Sequence, residues 1–322
     1  MLLPTTFLLG WLAGYVLSIV YFLGRKLSPL PRTLLLIATA ALTLFAPLCI
    51  PSDFPIARCL LATTLLMFLM KSWDLHLHPA KYASVPLRIY APFLMNHCLV
   101  VPRHARDFLT DLTLRTRLLH FASRTALFLL ATLALWLLWQ YDWSRRSFWC
   151  EHIAKAVVVF LWIASAWDSY GSLCQLLGAR IDPFTTGALS AHSPAALWRS
   201  WHQSISHWLL RDVVEPLRRL SPACPLRNAL CTLTAFVVSG LMHEYMVSLP
   251  LHRFTGYMML FFLTQGLAVI ATRRIALQGR WRILGAVLTY AFTIFCAVWL
   301  FAPVNEVLPF YANPIPAFLQ LR

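Results

Sequence analysis

Apolar residues are concentrated in eight long runs, which are separated by shorter polar and basic segments. A helix needs about 20 mostly apolar residues to cross the hydrocarbon core of a bilayer, and most of the runs are close to that length. The pattern predicts an all-α, polytopic integral membrane protein with about eight transmembrane helices in one membrane-embedded domain, residues 1–322. The predicted spans are roughly 5–23, 33–50, 57–71, 121–140, 153–178, 229–249, 254–272 and 283–302.

Two segments between these spans have a different pattern. Residues 86–102 are apolar but contain three prolines, which disfavours a straight helix and indicates an interfacial or re-entrant segment. Residues 188–220 show apolar stripes between polar positions, a pattern typical of helices that lie near the bilayer plane.

The distribution of charge along the chain indicates which role the basic residues have. The formal net charge is +15 at pH 7, which would suit a nucleic-acid-binding protein. Most of the 27 Lys and Arg residues, however, lie in alternate loops, the asymmetry that marks the cytosolic side of membrane proteins. We therefore predict no nucleic-acid partner, long cytosolic loops at 72–120 and 179–228, and lumenal termini in the endoplasmic reticulum if the source is eukaryotic.

Several motifs for other chemistries are absent from the sequence. There is no CxxC, HExxH, Walker A or GxSxG, and His76 and His78 form only a single HxH pair. Asp107 and Asp111 form one DxxxD, whereas an intramembrane prenyltransferase would need two acidic clusters to hold Mg²⁺-diphosphate. We predict no metal and no bound cofactor.

His243 lies deep in an apolar helix, in the stretch TAFVVSGLMHEYMVSL. Ser239 and Gly240 lie one turn earlier on the same helical face, so a small residue and a hydroxyl leave room for a substrate beside the imidazole. Glu244 is about 100° around the helix and is not expected to orient His243. The alternative interpretation is a structural histidine that is bonded to a neighbouring helix.

His202 lies in the second polar stretch of interest, LWRSWHQSISHWLL. Trp198, Trp201, His202, Ile205 and Leu209 have helical spacing and predict one indole-rich face that directs His202 into the protein. An interfacial aromatic belt with an incidental histidine explains the same pattern.

Two further charged features have less specific interpretations. Asp168, inside an apolar run, is predicted to pair with a buried Arg or with hydroxyl groups of adjacent helices. The segment RDVVEPLRR, from Arg211 to Arg219, is either a solvated loop or a phosphate-binding patch for an anionic cosubstrate.

Taken together, these residues resemble the wax synthase branch of the membrane-bound O-acyltransferase superfamily. The specific part of the resemblance runs from about 182 to 246, where two motifs some 40 residues apart occur in the same order. Leu197 stands where the family often has Phe, and His202 stands where plant members often have Asn. The matching stretches are Asp182-Pro-Phe184, Leu197-Trp-Arg-Ser-Trp-His-Gln203, Leu210–Arg219 and Val238-Ser-Gly-Leu-Met-His-Glu244.

The resemblance implies acyl transfer from acyl-CoA, as cosubstrate, to the hydroxyl group of a hydrophobic alcohol. A long-chain fatty alcohol is favoured, and a sterol or a terpenoid or polyketide alcohol, with a long-chain or acetyl donor, is the alternative acceptor. His243 is the implied catalytic base, and His202 is implied to position the donor or stabilise the oxyanion. The implied substrate-binding residues are Trp198, Trp201, Ser239, Arg211, Arg218 and Arg219.

Two other function classes fit part of the pattern. A membrane transporter or scaffold would explain the helices and Asp168, but transporters often show an internal repeat and none is visible. A prenyltransferase would depend on Asp107, Asp111 and Mg²⁺.

Overall fold

The structure is a computed structural model that describes residues 2–102, 108–220, 224–275 and 277–321. Within these ranges the chain is α-helical, apart from loops, short helical turns and two isolated β-bridges. The longer helices are α1 Leu2–Leu23, α2 Pro29–Phe45, α3 Pro55–Leu77, α4 Pro79–Tyr82, α5 Leu87–Met95, α6 Leu114–Gln140, α7 Phe148–Leu176, α8 Pro194–Ser200, α9 Gln203–Trp208, α10 Glu215–Arg219, α11 Pro225–Leu251, α12 Tyr257–Thr272 and α13 Arg280–Val307. A π-helical turn, Leu209–Val214, joins α9 to α10.

The all-α, polytopic membrane architecture predicted from the sequence is confirmed. In the described part of the chain, seven helices are long and apolar enough to cross a bilayer: α1, α2, α3, α6, α7, α11 and α13. The predicted span at 254–272 corresponds to α12, which is apolar but has only 16 residues. Each of the eight predicted spans therefore coincides with an apolar helix.

Local sequence signals fix where several of these helices begin. Proline occupies the first turn of α2, α3 and α11, where its missing N–H leaves no helical hydrogen bond unmade. Ser147 caps α7, because its hydroxyl accepts a hydrogen bond from the Cys150 amide. The positions of these prolines and of Ser147 therefore indicate in the sequence where the long helices begin.

Packing of the helices separates a lipid-facing side from a core. α6 packs on α7 and has no buried residue, so its exposed leucines need an apolar solvent around them. α11 packs on α3, α12 and α13, and α12 also contacts α8. The segments that contain His202 and His243 thus lie among α3, α8, α11 and α12.

The proline-containing segment 86–102 forms α5 and a following turn. Tyr90, Phe93 and Leu94 of α5 are buried in a cluster with residues of α1 and α3. Lys71, which ends the predicted third span, lies inside α3 and is fully buried. Its ammonium group donates to the carbonyls of Phe93, Leu94 and Asn96, and so it closes the end of α5.

The predicted continuous helix over Trp198–Leu209 is wrong. α8 ends at Ser200, Trp201 is extended, and α9 starts again at Gln203. The break arises because the backbone at 200–203 bonds to the loop at 184–186, so long-range pairing overrides the local helical spacing. Of the predicted DxxxD pair, Asp107 lies outside the described residues, as do Arg103 and Arg106.

Candidate active site

His243 lies near the middle of α11, and its orientation is set by the backbone. Nδ1 is 2.8 Å from the carbonyl oxygen of Ser239, one turn earlier. A carbonyl oxygen only accepts, so Nδ1 holds the proton and donates it. In the neutral imidazole the other nitrogen, Nε2, then has a free lone pair. The helix therefore selects the tautomer that a general base needs.

The wall beside His243 is formed by α12. The ring centroids of His243 and Phe262 are 4.4 Å apart. This close approach depends on Gly240, because a Cβ atom there would lie 2.8 Å from Met259 Sδ and 3.4 Å from Met259 Cα. A glycine at this position lets the two helices meet at the level of the imidazole.

The Glu244 carboxylate joins α11 to the start of α12. Its carboxylate accepts hydrogen bonds from the backbone amides of Thr255, Gly256 and Met258 at 2.5, 2.8 and 3.1 Å, and from the Thr255 hydroxyl at 2.6 Å. These amides lie immediately before α12 and in its first turn, where a carboxylate also interacts favourably with the helix dipole. Glu244 therefore fixes α12 against α11 and does not contact His243 through a hydrogen bond.

His202 connects α8 to α9 in an unusual conformation. Its backbone has φ 43° and ψ 65°, in the left-handed region that residues with a Cβ rarely adopt. Its carbonyl accepts hydrogen bonds from the Ile205 and Ser206 amides, and a 3.3 Å hydrogen bond joins its Nδ1 to the Ser204 hydroxyl. Such strain persists only where surrounding contacts hold it, which marks His202 as a candidate functional residue.

Burial and the charge of His243 together lower the pKa of His202 to about 3. A proton on His243 would therefore oppose a proton on His202. Both side chains are half-buried, so each keeps some surface that a water-sized molecule can reach. At physiological pH His202 is neutral, so it can form hydrogen bonds without carrying a positive charge.

The loop that contains Asp182-Pro-Phe184 holds the ring of His202 in place. The centroid of Phe184 lies 4.5 Å from that of His202. Asp168 fixes this loop, because its carboxylate accepts from the Phe184 amide at 3.1 Å and pairs with Arg124 at 3.2 Å. The predicted pairing of Asp168 with an arginine is thus present, although Arg124 is half exposed rather than buried.

Each of the two tryptophans predicted to bind substrate contacts a phenylalanine that also contacts one of the histidines. Trp198 donates from Nε1 to the side-chain oxygen of Gln265 at 3.0 Å, and its ring lies 5.7 Å from Phe262, which also contacts His243. The Trp201 ring lies 4.9 Å from Phe184, the same ring that contacts His202. Phe262 therefore links Trp198 to His243, and Phe184 links Trp201 to His202.

The three arginines predicted to bind phosphate have different neighbours in the structure. Arg211 Nε lies 3.9 Å from Asp74 Oδ1. Burial, then the charge of Arg211 and, more weakly, that of Arg219 lower the pKa of His78. Arg218 is exposed and lines a different cleft together with Arg273. Arg218 therefore lines a cleft that Arg211 and Arg219 do not line.

Residues 182–264 match the profile of the membrane bound O-acyl transferase family.

The match supports this superfamily and membrane-bound O-acyltransferase activity in general terms. It covers the part of the chain that contributes Phe184, His202, His243, Glu244 and Phe262 to the site. No curated protein matches the sequence significantly.

The sequence analysis did not predict one polar cluster near the site. Oxygens of Asp74 and Asp212 and a ring nitrogen of His78 lie within 4.8 Å of one another. Such a donor set can bind a divalent cation. Lys81 Nζ, however, lies 2.6 Å from Asp74, and Arg211 also faces that carboxylate, so two cations already oppose the two acids. The cluster ties α3 to the π-helical turn, and residues 134 positions apart give no local signal of it.

Burial, followed by the charge of Asp74, raises the pKa of Asp212 to about 7. Burial also lowers the pKa of Lys81 to about 8, with Asp74 opposing that shift. The shared cause is the removal of these groups from water, which disfavours their charged forms.

The low pKa of His202 predicts a pH dependence of stability. Below its ordinary pKa of 6.5, the unfolded chain takes up a proton at His202 that the folded chain refuses until about pH 3. Stability should therefore fall as the pH decreases through this window, by roughly 1–2 kcal/mol at pH 5 for this one group. We expect the thermal midpoint of the wild type to fall more between pH 7 and pH 5 than that of His202→Asn. Parallel pH profiles for the two proteins would contradict the prediction.

Proposed function

We propose that the protein transfers an acyl group from acyl-CoA to the hydroxyl group of a hydrophobic alcohol, within the wax synthase branch of the superfamily. A long-chain fatty alcohol, which would give a wax ester, is the favoured acceptor. A sterol or a terpenoid or polyketide alcohol, with a long-chain or acetyl donor, is the alternative. The observation that carries the proposal is the 2.8 Å contact between His243 Nδ1 and the Ser239 carbonyl oxygen, because it leaves Nε2 as the nitrogen that can accept a proton.

In the proposed reaction, His243 Nε2 removes the proton from the alcohol. The alcohol oxygen forms a bond to the thioester carbonyl carbon, and the carbonyl oxygen becomes an oxyanion. The C–S bond then breaks, the CoA sulfur leaves with the electron pair, and it takes the proton from the His243 imidazolium. No acyl-enzyme is needed, so no Ser or Cys nucleophile is required.

The surrounding residues have positioning roles in this proposal. A neutral His202 can donate a hydrogen bond from a ring nitrogen to the thioester oxygen, where negative charge develops. Trp198 and Trp201 border the acyl chain, and Ser239 lies beside the acceptor hydroxyl. Arg211 and Arg219 remain the proposed contacts for the CoA phosphates on the predicted cytosolic face, whereas Arg218 lies in a separate cleft.

The proposed location of the active site in the membrane follows from where the substrates dissolve. Both the acyl chain and the alcohol partition into lipid, while CoA stays in water, so a chamber between membrane helices can admit both. In a eukaryotic cell we propose the endoplasmic reticulum membrane, with the site open to the cytosol.

A matrix of donors and acceptors tests the function directly. Membranes with the wild-type protein are incubated with acetyl-CoA or palmitoyl-CoA and with a fatty alcohol, a sterol or a terpenoid alcohol, and esters are measured by mass spectrometry. We expect ester from long-chain donor and fatty alcohol, in excess over membranes with His243→Ala. Absence of ester from every pair, with folded protein present, would overturn the proposal.

A further inference from the structure

An open cleft of about 710 Å³ lies where α10 meets the start of α11 and the end of α12. Four arginines line it: Arg218, Arg227, Arg273 and Arg274. We call it the arginine cleft. The Asn228 amide and the Thr232 hydroxyl add polar groups to the same wall.

Glu215, one turn before Arg218 on α10, is the acidic residue nearest to the arginine cleft in the sequence. Residues 216–243 and 245–305 contain no Asp or Glu. Arg227 donates to the Arg218 carbonyl at 3.0 Å, and Arg273 donates to the Pro225 carbonyl at 3.5 Å. Carbonyl contacts orient a guanidinium group but do not neutralise it. In the described part of the chain Arg218, Arg273 and Arg274 form no ion pair with a carboxylate, so their like charges repel one another, and an anion with several acceptor oxygens would relieve that repulsion.

The cleft lies at the level of a membrane surface. α11 begins at Pro225, which lines the cleft, and Arg273 and Arg274 directly follow the end of α12 at Thr272. Leu226 and Leu230, in the first two turns of α11, are 68% and 54% exposed and suit contact with acyl chains. The loop-charge pattern predicts that this end faces the cytosol, where membranes present anionic lipid headgroups.

The seam between α11 and α12 is closely packed between the cleft and His243. A Cβ atom on Gly266 would lie 2.9 Å from the Phe236 side chain, so Phe236 fills the groove at that level. Gly240 allows a second close contact one turn further along α11. These close contacts leave little room between α11 and α12 for the pantetheine arm of a CoA thioester anchored in the cleft. The geometry favours a ligand whose apolar part stays in the bilayer.

We propose that the arginine cleft binds the phosphate headgroup of an anionic phospholipid. The guanidinium groups contact the phosphate oxygens, and the acyl chains run down the exposed face of α11. The bound lipid joins α10, α11 and α12 from one side. This inference is independent of the acyl transfer reaction.

The test uses the purified full-length protein in mild detergent, with phosphatidic acid or phosphatidylcholine as the added lipid. Binding is read by native mass spectrometry and by the shift in thermal midpoint, since a ligand of the folded state stabilises it. We expect the wild type to bind phosphatidic acid at least about tenfold more tightly than phosphatidylcholine, because each basic contact near the surface contributes on the order of 1 kcal/mol. Arg273→Gln/Arg274→Gln should lose this preference.

The matched control is Arg280→Gln/Arg282→Gln, which removes the same charge from exposed positions at the start of α13, outside the cleft lining. It should keep the preference. Arg218→Gln, at an exposed position, provides a second cleft variant if the double variant does not fold. An equal loss in the control would show that general surface charge, rather than the cleft, attracts the lipid, and would overturn the proposal.

CoA also carries phosphate groups, so it is the alternative ligand of the arginine cleft. Free CoA and dephospho-CoA are added to the protein with bound phosphatidic acid. The proposal predicts that neither displaces the lipid. Displacement by CoA, with weaker CoA binding in Arg273→Gln/Arg274→Gln, would assign the cleft to the donor and contradict the proposal.

Discussion

Ester formation should fall by about 10²- to 10⁴-fold when His243 is replaced by Ala, because a positioned base contributes that much to the rate. Nδ1 of His243 is held by the Ser239 carbonyl, so Nε2 is the nitrogen that can accept a proton. His243→Gln should lose as much activity, since an amide fills similar space without serving as a base at neutral pH. The measurement is the initial rate of ester formation with saturating donor and acceptor.

His120→Ala is the matched control. His120 is exposed on α6, where its ring bonds to Gln175, and it has no proposed role in the reaction. This variant should keep wild-type activity. Size-exclusion profiles and thermal midpoints establish that each variant is folded. A folded His243→Ala protein with near wild-type ester formation would remove His243 from the mechanism.

Replacing Glu244 with Ala should cause the largest loss of stability. Glu244 is 1% exposed and accepts from three backbone amides and one hydroxyl at the start of α12. Each donor left buried without an acceptor costs about 1–3 kcal/mol, and relaxation recovers part of that, so we expect a loss of roughly 3–5 kcal/mol. Activity should fall as well, because α12 holds Phe262 against His243.

Glu244→Gln separates the role of shape from that of charge. It retains one acceptor oxygen and should lower the thermal midpoint less than Glu244→Ala does. Glu306→Ala provides the control, since Glu306 is 39% exposed and pairs with Arg253, and exposed ion pairs contribute little. If Glu244→Ala and Glu306→Ala destabilise the protein equally, the anchoring role assigned to Glu244 is wrong.

The helices could be predicted from the sequence because the constraint on them is local. A bilayer demands long apolar runs whose backbone groups bond within the same segment, so length and hydropathy suffice. The interior position of His243 follows from the same argument. The sequence also indicated that Glu244 points away from His243, and its carboxylate contacts the start of α12 instead.

The region around His202 could not be predicted in the same way. Helical spacing from Trp198 to Leu209 is present in the sequence, but the backbone there bonds to the loop around Phe184. This pairing between distant segments places His202 in a left-handed turn and leaves no periodic signal. Phe184 lies in a stretch that the family resemblance singled out, but its contact with His202, like that of Phe262 with His243, is visible only in the fold.

Charge patterns in a loop likewise do not tell which way each side chain points. Arg211 lies beside Asp74 and the charge of Arg219 lowers the pKa of His78, whereas Arg218 lines a cleft with residues that follow α12. The sequence segment 211–219 contains all three, and its spacing does not divide them. The ion-pair cluster of Asp74, His78 and Asp212 depends in the same way on contacts between α3 and the π-helical turn.

The central claim is that a donor thioester and an acceptor alcohol meet between His243 and His202. A structure of the full-length protein with a non-reactive thioether analogue of palmitoyl-CoA tests it most directly. We expect the atom that replaces the reacting carbonyl carbon to lie beside both imidazoles, with room for an alcohol oxygen about 3–3.5 Å from it and within reach of His243 Nε2. An analogue bound elsewhere, with His243 and His202 separated by packed side chains, would contradict this account.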